Sequence, residues 1–246
     1  MTRLISSIIT LTIMGYVLPA SALEMLTLYP GTYSSKVFDL STSSCSKNDE
    51  RTILDSNGSI QTILCEDIYR QCLFLGSCRI ITREGRAISL SYHEFNEVLQ
   101  RQTFVLDSLS KCPYGSGTGR TKDGKIERVC ADPYFSIAAD INEHLLGEVI
   151  FIPALVGLLL PTGEIHDGFL IVRDSGESLR DAGHDRYDFF TGHQDAADPQ
   201  NIFQRRGLGH YDNTLAYRKA TPEETKETLR KRNFPYLPFH LIEDLK

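Results

Sequence analysis

The chain has 246 residues, with 26 Lys+Arg against 32 Asp+Glu for a formal net charge of −6, and it is 41% apolar and 24% charged. An acidic balance argues against a nucleic-acid partner, which calls for a basic face to neutralise phosphates, and against adsorption to an anionic membrane surface. The apolar and charged fractions are those of a folded globular protein, so a wholly disordered chain is excluded too.

Residues 1–22 read as a secretory signal. Arg3 precedes an apolar run over 4–18, Pro19 ends it, and Ala20-Ser21-Ala22 supplies the small residues of a cleavage site. A membrane span takes about 20 apolar residues, whereas Ser6, Ser7, Thr10 and Thr12 dilute this run. The expectation is a secreted or periplasmic protein with no integral membrane segment after signal cleavage. Cys45, Cys65, Cys72, Cys78, Cys112 and Cys130 agree with export: an even count in an oxidising compartment is a disulfide framework. No C-x-x-C pair or spaced histidines suggest zinc. Cys112 and Cys130 flank one turn-rich stretch between strand-like runs and are expected to be bonded; the pairing of the other four stays open.

Residues 23–99 hold short strand-like runs at 60–64, 72–81 and 87–92, the last two flanking the hairpin sequence Arg83-Glu84-Gly85-Arg86. This predicts a small disulfide-rich β segment. In 100–192 the runs 103–106, 128–131, 148–152 and 168–173 are rich in Val, Ile and Phe, and Gly and Pro punctuate them as in a compact barrel. Phe104, Val129, Val149, Phe151, Leu170 and Val172 are the expected barrel core. The stretch 137–146 reads as a short helix or a loop. Gly115-Ser116-Gly117-Thr118-Gly119 lacks the Lys-Ser/Thr of a phosphate loop and the G-x-G-x-x-G of a dinucleotide site, so it reads as a flexible connection. Residues 193–246 form a polar C-terminal extension with one helix. Thr221-Pro222-Glu223-Glu224 opens it with an N-cap, a first-turn Pro and a capping-box Glu.

No G-x-S-x-G or H-E-x-x-H occurs. His166, Asp167, Asp174, Asp181, His184, Asp185, Asp188, His193 and Asp195 crowd one stretch without ligand spacing, so solvated acidic loops rather than a metal site are expected. Three aspartates stand out because each ends or interrupts an apolar run: Asp132 before Pro133, Asp174 before Ser175-Gly176, and Asp188 in Tyr187-Asp188-Phe189-Phe190. One such Asp caps a turn. Carboxyls that converge repel, and one can then hold its proton near neutral pH and act as a general acid.

The motifs Cys130-Ala131-Asp132-Pro133, Val172-Arg173-Asp174-Ser175-Gly176 and Tyr187-Asp188-Phe189-Phe190-Thr191-Gly192, with the intervening Leu146-Gly147-Glu148-Val149-Ile150-Phe151-Ile152-Pro153, resemble the 3D (three-aspartate) domain. That domain occurs in MltA-type lytic transglycosylases and in stationary-phase survival and resuscitation-factor proteins. The resemblance implies a mainly β protein built on a six-stranded, barwin-like double-psi β-barrel over 100–192, with the disulfide-rich segment before it and the helix-bearing tail after it. It also implies peptidoglycan glycan strands as partner, Asp188 as the catalytic acid/base, Asp174 and Asp132 in support, and no metal or organic cofactor. Asp185 is a competing position, and Glu177 stands where the family carries a second Gly after D-x-G. Two other readings fit the residues: a non-catalytic envelope module that binds glycan, and a hydrolase whose second carboxylate is Asp132, Asp167 or Asp174.

Overall fold

The computed structural model describes residues 24–42 and 45–243; the expected signal segment, 1–22, lies outside them. Strand β1 (Leu26–Tyr33) belongs to the barrel, but the chain leaves it at Ser34-Ser35 to build a second unit. That unit comprises β2 (Lys36–Asp39), β3 (Glu50–Leu54), β4 (Ile60–Cys65), α1 (Glu66–Leu75), β5 (Ser77–Ile81), β6 (Ala87–Asn96) and β7 (Arg101–Asp107). Its strands form one sheet in the order β2-β5-β6-β7-β3-β4. Ile80, Leu90 and Phe104 on one face pack with Ile68 and Cys72 of α1. Strand alternation sends Ser89, Ser91 and Asp107 to the opposite face.

The run 72–81, expected as a single strand, is split. Residues 72–75 finish α1, and Gly76 (φ 74°) ends the helix, its N–H on the Leu73 carbonyl at 3.3 Å. Glu66 and Asp67 in the first turn favour the helix dipole, and glycine takes the left-handed cap that side chains resist. Cys72 is bonded to Cys78, tying α1 to β5; the other bonds are Cys45–Cys65 and Cys112–Cys130, with Cα–Cα distances of 5.7 and 4.9 Å.

The chain returns through the hairpin β8 (Ser116–Arg120) and β9 (Ile126–Cys130). It continues with β10 (Ser136–Ala139), β11 (Val149–Phe151), β12 (Phe169–Asp174), β13 (Arg186–Phe190), α2 (Ile202–Arg205), β14 (Leu215–Lys219), α3 (Pro222–Lys231) and α4 (Phe239–Glu243). Six strands close into a barrel in the order β1-β13-β10-β12-β11-β14, as the double-psi fold requires. β1 closes the ring, running parallel to β13 and antiparallel to β14. Leu28, Ile137, Ala139, Ile150, Leu170, Val172, Tyr187, Phe189 and Tyr217 fill the interior. Burying one such aliphatic or Phe side chain is worth about 1.5–3 kcal/mol.

Several expectations change. Two barrel strands, β1 and β14, come from outside 100–192. Phe104 serves the core of the six-stranded sheet, Val129 lies on the β8–β9 hairpin, and Phe151 is only partly buried under the Arg218 guanidinium. Leu170 and Val172 are in the barrel core, and Val149 is buried. A period-two pattern marks a strand but does not name its neighbour, so strands of two sheets look alike. Residues 137–139 are strand, not helix. Of the glycine-rich stretch 115–119, residues 116–119 are also strand, because the glycines let it lie directly on the barrel (below). α3 starts as its sequence states, with both capping-box hydrogen bonds between Thr221 and Glu224. Among the described residues no helix is long and apolar enough to cross a membrane.

Candidate active site

The site is built around the short strand β10, every residue of which is buried. Its Ala138 pairs with Asp188 of β13 on one side and with Asp174 of β12 on the other. Asp188 needs no special device: Tyr187 and Phe189 point into the core, so the residue between them faces out. Asp174 does need one. Leu170 and Val172 face the core, and simple alternation would bury Asp174 with them. The register instead shifts, with Ile137 opposite Val172 and Ala138 opposite Asp174, leaving Arg173 as an extra residue in β12. Such a bulge re-aims the next side chain, and here it turns Asp174 onto the face of Ala138 and Asp188.

Small residues make room for both carboxylates. Gly31 of β1 pairs with Asp188, and a Cβ there would fall 2.0 Å from Asp188 Oδ1 and 2.7 Å from a ring carbon of Tyr211. A Cβ on Gly117 of β8 would lie 2.5 Å from the Arg173 carbonyl oxygen and 2.6 Å from Asp174 Cγ. A glycine inside a strand commonly marks a close approach of this kind.

The two acids are held differently. Asp174 Oδ1 accepts the backbone N–H groups of Thr118 (3.0 Å) and Ser175 (2.8 Å). Burial raises its pKa to about 6, against the opposing pull of those two N–H groups, of Tyr33 and of the Arg128 charge. Asp188 Oδ1 accepts from Arg186 Nε and a terminal guanidinium nitrogen at 3.3 and 3.2 Å, and the guanidinium stacks on the Tyr211 ring with 3.5 Å to the centroid. Burial raises the Asp188 pKa as well, and Arg186 opposes it. Among the described residues the buried Tyr33 hydroxyl has no hydrogen-bond partner of ordinary geometry. Burial first, then the charge of Asp174, and further that of Asp188, hold its pKa well above the usual tyrosine value. It therefore stays a phenol, a donor beside two acids.

Asp132 is elsewhere. It is fully buried and bound by both Nε and a terminal nitrogen of Arg232 at 2.8 Å, and the Arg232 guanidinium lies 3.6 Å from the centre of the Phe135 ring. The Arg173 guanidinium lies 3.9 Å from Asp132 and donates to the carbonyls of Cys130 (3.0 Å) and Tyr236 (2.9 Å). This cluster fastens the segment after α3 to the barrel. Asp185 is exposed and contributes its carbonyl to β1, accepting the Tyr29 N–H at 2.7 Å. Among the described residues no three His, Cys, Asp or Glu side chains gather as metal ligands. Asp174 and Asp188 are thus brought together, and Asp132 is not.

No family model matches the chain, and no curated protein matches it in sequence. Solved structures that it resembles include lytic transglycosylases. Escherichia coli MltA with bound chitohexaose is 11% identical, with a TM-score of 0.43 over 79% of this chain and 72% of that one. A membrane-bound lytic murein transglycosylase from Agrobacterium tumefaciens is 10% identical (TM-score 0.40, over 82% and 75%). The lytic transglycosylase LtgG of Burkholderia pseudomallei is 14% identical (TM-score 0.37, over 79% and 71%).

Tyr33, Arg186, Tyr211, Gly31 and Gly117 escaped the sequence reading. The one available signal was glycine inside strand-forming sequence. Leu26–Tyr33 carries Gly31 among β-formers, and Gly117 sits in a run of alternating Gly and Ser/Thr that is equally at home in a loop.

Proposed function

We propose that this protein is an exported, lytic transglycosylase-like enzyme of the cell wall, acting on peptidoglycan glycan strands in the periplasm or outside the cell. The observation that carries the reading is the pair of burial-raised carboxyls, Asp174 and Asp188, on one face of the barrel with only Ala138 between them in register. Hydrolysis of a glycoside normally takes two carboxylates set apart to manage a water or a covalent intermediate. An intramolecular transfer needs two successive proton transfers, one out and one in, which a single carboxyl can serve in turn. Asp188, protonated, donates to the oxygen of the β-1,4 bond between N-acetylmuramic acid and N-acetylglucosamine. As carboxylate it then accepts the proton of the muramoyl C6 hydroxyl, whose oxygen bonds to C1 and gives the 1,6-anhydro product. No water is consumed, and neither electrons nor a metal-bound nucleophile is called for. Burial raises the Asp188 pKa against the pull of Arg186 and so helps the residue keep its proton.

Incubating the protein with purified sacculi and analysing the released fragments by mass spectrometry tests this: 1,6-anhydro ends are expected, and reducing ends would indicate a hydrolase instead. A second reading, a non-catalytic glycan-binding module of the envelope, is favoured by the Arg186–Asp188 ion pair, which stabilises the ionised form of the proposed acid. Sedimentation with sacculi without release of either fragment type would establish it.

A further inference from the structure

Strand β8 reaches Asp174 because something else holds it there. Its Ser116 is anchored to the six-stranded sheet at two points: the N–H donates to Ser91 Oγ (3.0 Å), and the hydroxyl donates to Asp107 Oδ1 (2.6 Å). Asp107 Oδ2 accepts the Ser91 hydroxyl at 2.5 Å, so one carboxylate binds both serines. On the partner strand β9, Arg128 sits opposite Thr118 and donates to Ser116 Oγ (3.2 Å) and to the Tyr92 carbonyl (2.9 Å). Ser91 is fully buried and Ser116 nearly so, and burial raises the Asp107 pKa even against four opposing contributions. A partly buried carboxylate in such a position is costly unless its partners are in place. Two residues along β8, the Thr118 N–H donates to Asp174.

We infer that Asp107 is a positioning residue for the active site: through Ser91, Ser116 and Arg128 it clamps the β8–β9 hairpin to the sheet and so fixes the Thr118 N–H against Asp174. The sheet, inserted between β1 and the rest of the barrel, thereby has a part in setting the state of a barrel carboxylate about which the barrel's own sequence says nothing. The inference rests on the proposed function only for its consequence in turnover; the geometry it concerns can be measured without substrate.

The test uses the full mature chain and two variants, Ser116→Ala, which removes the hydroxyl's links to Asp107 and Arg128 without changing charge and leaves the backbone link to Ser91, and Asp107→Ala. Hydrogen exchange of the Thr118 amide is followed by NMR together with the core amides of Ile171 and Val172. Asp174 is titrated through its carboxyl carbon in the same samples. The groups facing Asp174 are Tyr33 from β1, Arg128 from β9, the Thr118 N–H from β8 and, across Ala138, Asp188; Ser116→Ala leaves all their charges unchanged. Expected in Ser116→Ala are a loss of Thr118 protection of about tenfold or more, as a broken hydrogen bond to a charged group implies, unchanged protection at Ile171 and Val172, and an upward shift of the Asp174 titration. Thr118 protection equal to wild type overturns the inference, and so does lost protection with an unmoved Asp174. If Asp107→Ala does not fold, Ser116→Ala alone decides. An inactive wild-type protein that shows the expected exchange and titration would count against the proposed enzyme while leaving the clamp standing.

Discussion

Asp174 and Asp188 share one register partner, Ala138, from opposite sides, and they reach that arrangement by different routes: Asp188 by plain alternation, Asp174 by the bulge at Arg173. The strand between them carries a methyl group where most β-formers would place a larger side chain. The arrangement leaves both acids half-buried but with unlike partners, a guanidinium for Asp188 and two backbone N–H groups for Asp174.

Asp188→Asn keeps the shape of the side chain and removes the proton-transfer group. Release of 1,6-anhydromuropeptides is expected to fall by about 10²–10⁴-fold, the usual worth of general acid–base catalysis, while the melting temperature stays within a few degrees. Mass spectrometry of sacculus digests, with thermal unfolding alongside, measures both. Undiminished release would remove Asp188 from the mechanism and turn attention to Asp174, whose pKa of about 6 suits it to hold a proton.

Asp174→Asn should stabilise the fold, and the gain should depend on pH. The folded-state pKa of about 6 lies above the ordinary value near 3.9, so between these limits the folded state binds more protons than the unfolded one. Stability from this group is complete below about pH 4 and is lost as pH rises through 6. The amide carries no such penalty and can still accept the Thr118 and Ser175 N–H groups. Thermal unfolding should show the variant above wild type at pH 7.5, by an amount on the order of 2–3 kcal/mol, and level with it near pH 4. A variant less stable than wild type at pH 7.5 would contradict the burial argument.

Asp132→Asn is expected to be the damaging substitution of the three. It takes from the buried guanidinium of Arg232 its fully buried anion and leaves it only the half-buried Glu164 at 3.0 Å, and breaking a buried pair from one side costs up to roughly 3–5 kcal/mol. Denaturant titration should show that loss at neutral pH. The double variant Asp132→Leu, Arg232→Met should recover part of it, since the Arg232 charge is then gone, although Arg173 still loses the carboxylate 3.9 Å away. Turnover per folded molecule of Asp132→Asn should match wild type if the residue only fastens the C-terminal segment.

Gly31→Ala probes the cradle directly. The added methyl carbon would stand 2.0 Å from Asp188 Oδ1, so the carboxylate or the strand has to move. Overpacking of this kind costs about 1–3 kcal/mol. The larger effect expected is on kcat, because the proton-transfer group is displaced. Activity equal to wild type would show that Asp188 has freedom to step aside, contrary to the packing seen around it.

The sequence by itself marked two barrel strands, β11 and β12, through the Val-, Ile- and Phe-rich runs 148–152 and 168–173, while the like runs 103–106 and 128–131 went to other sheets, and it stated α3 through the Thr221–Glu224 box. These are local signals: alternation, capping and turn chemistry act within a few residues, so they are written in order along the chain. It also singled out Asp174 and Asp188, because acids that end or interrupt apolar runs are conspicuous. It gave Asp132 the same standing, since a strand-end Asp looks alike whether it faces a cleft or a buried arginine one hundred residues away. Tertiary structure decided the rest. Which strands close the ring depended on β1 and β14 meeting from opposite ends of the chain, and period-two patterns do not encode partners. The aim of Asp174 depended on one extra residue against β10, and the strand identity of 116–120 depended on a surface for its glycines to approach. Those are contacts between distant segments, and they exist only once the chain has folded around them.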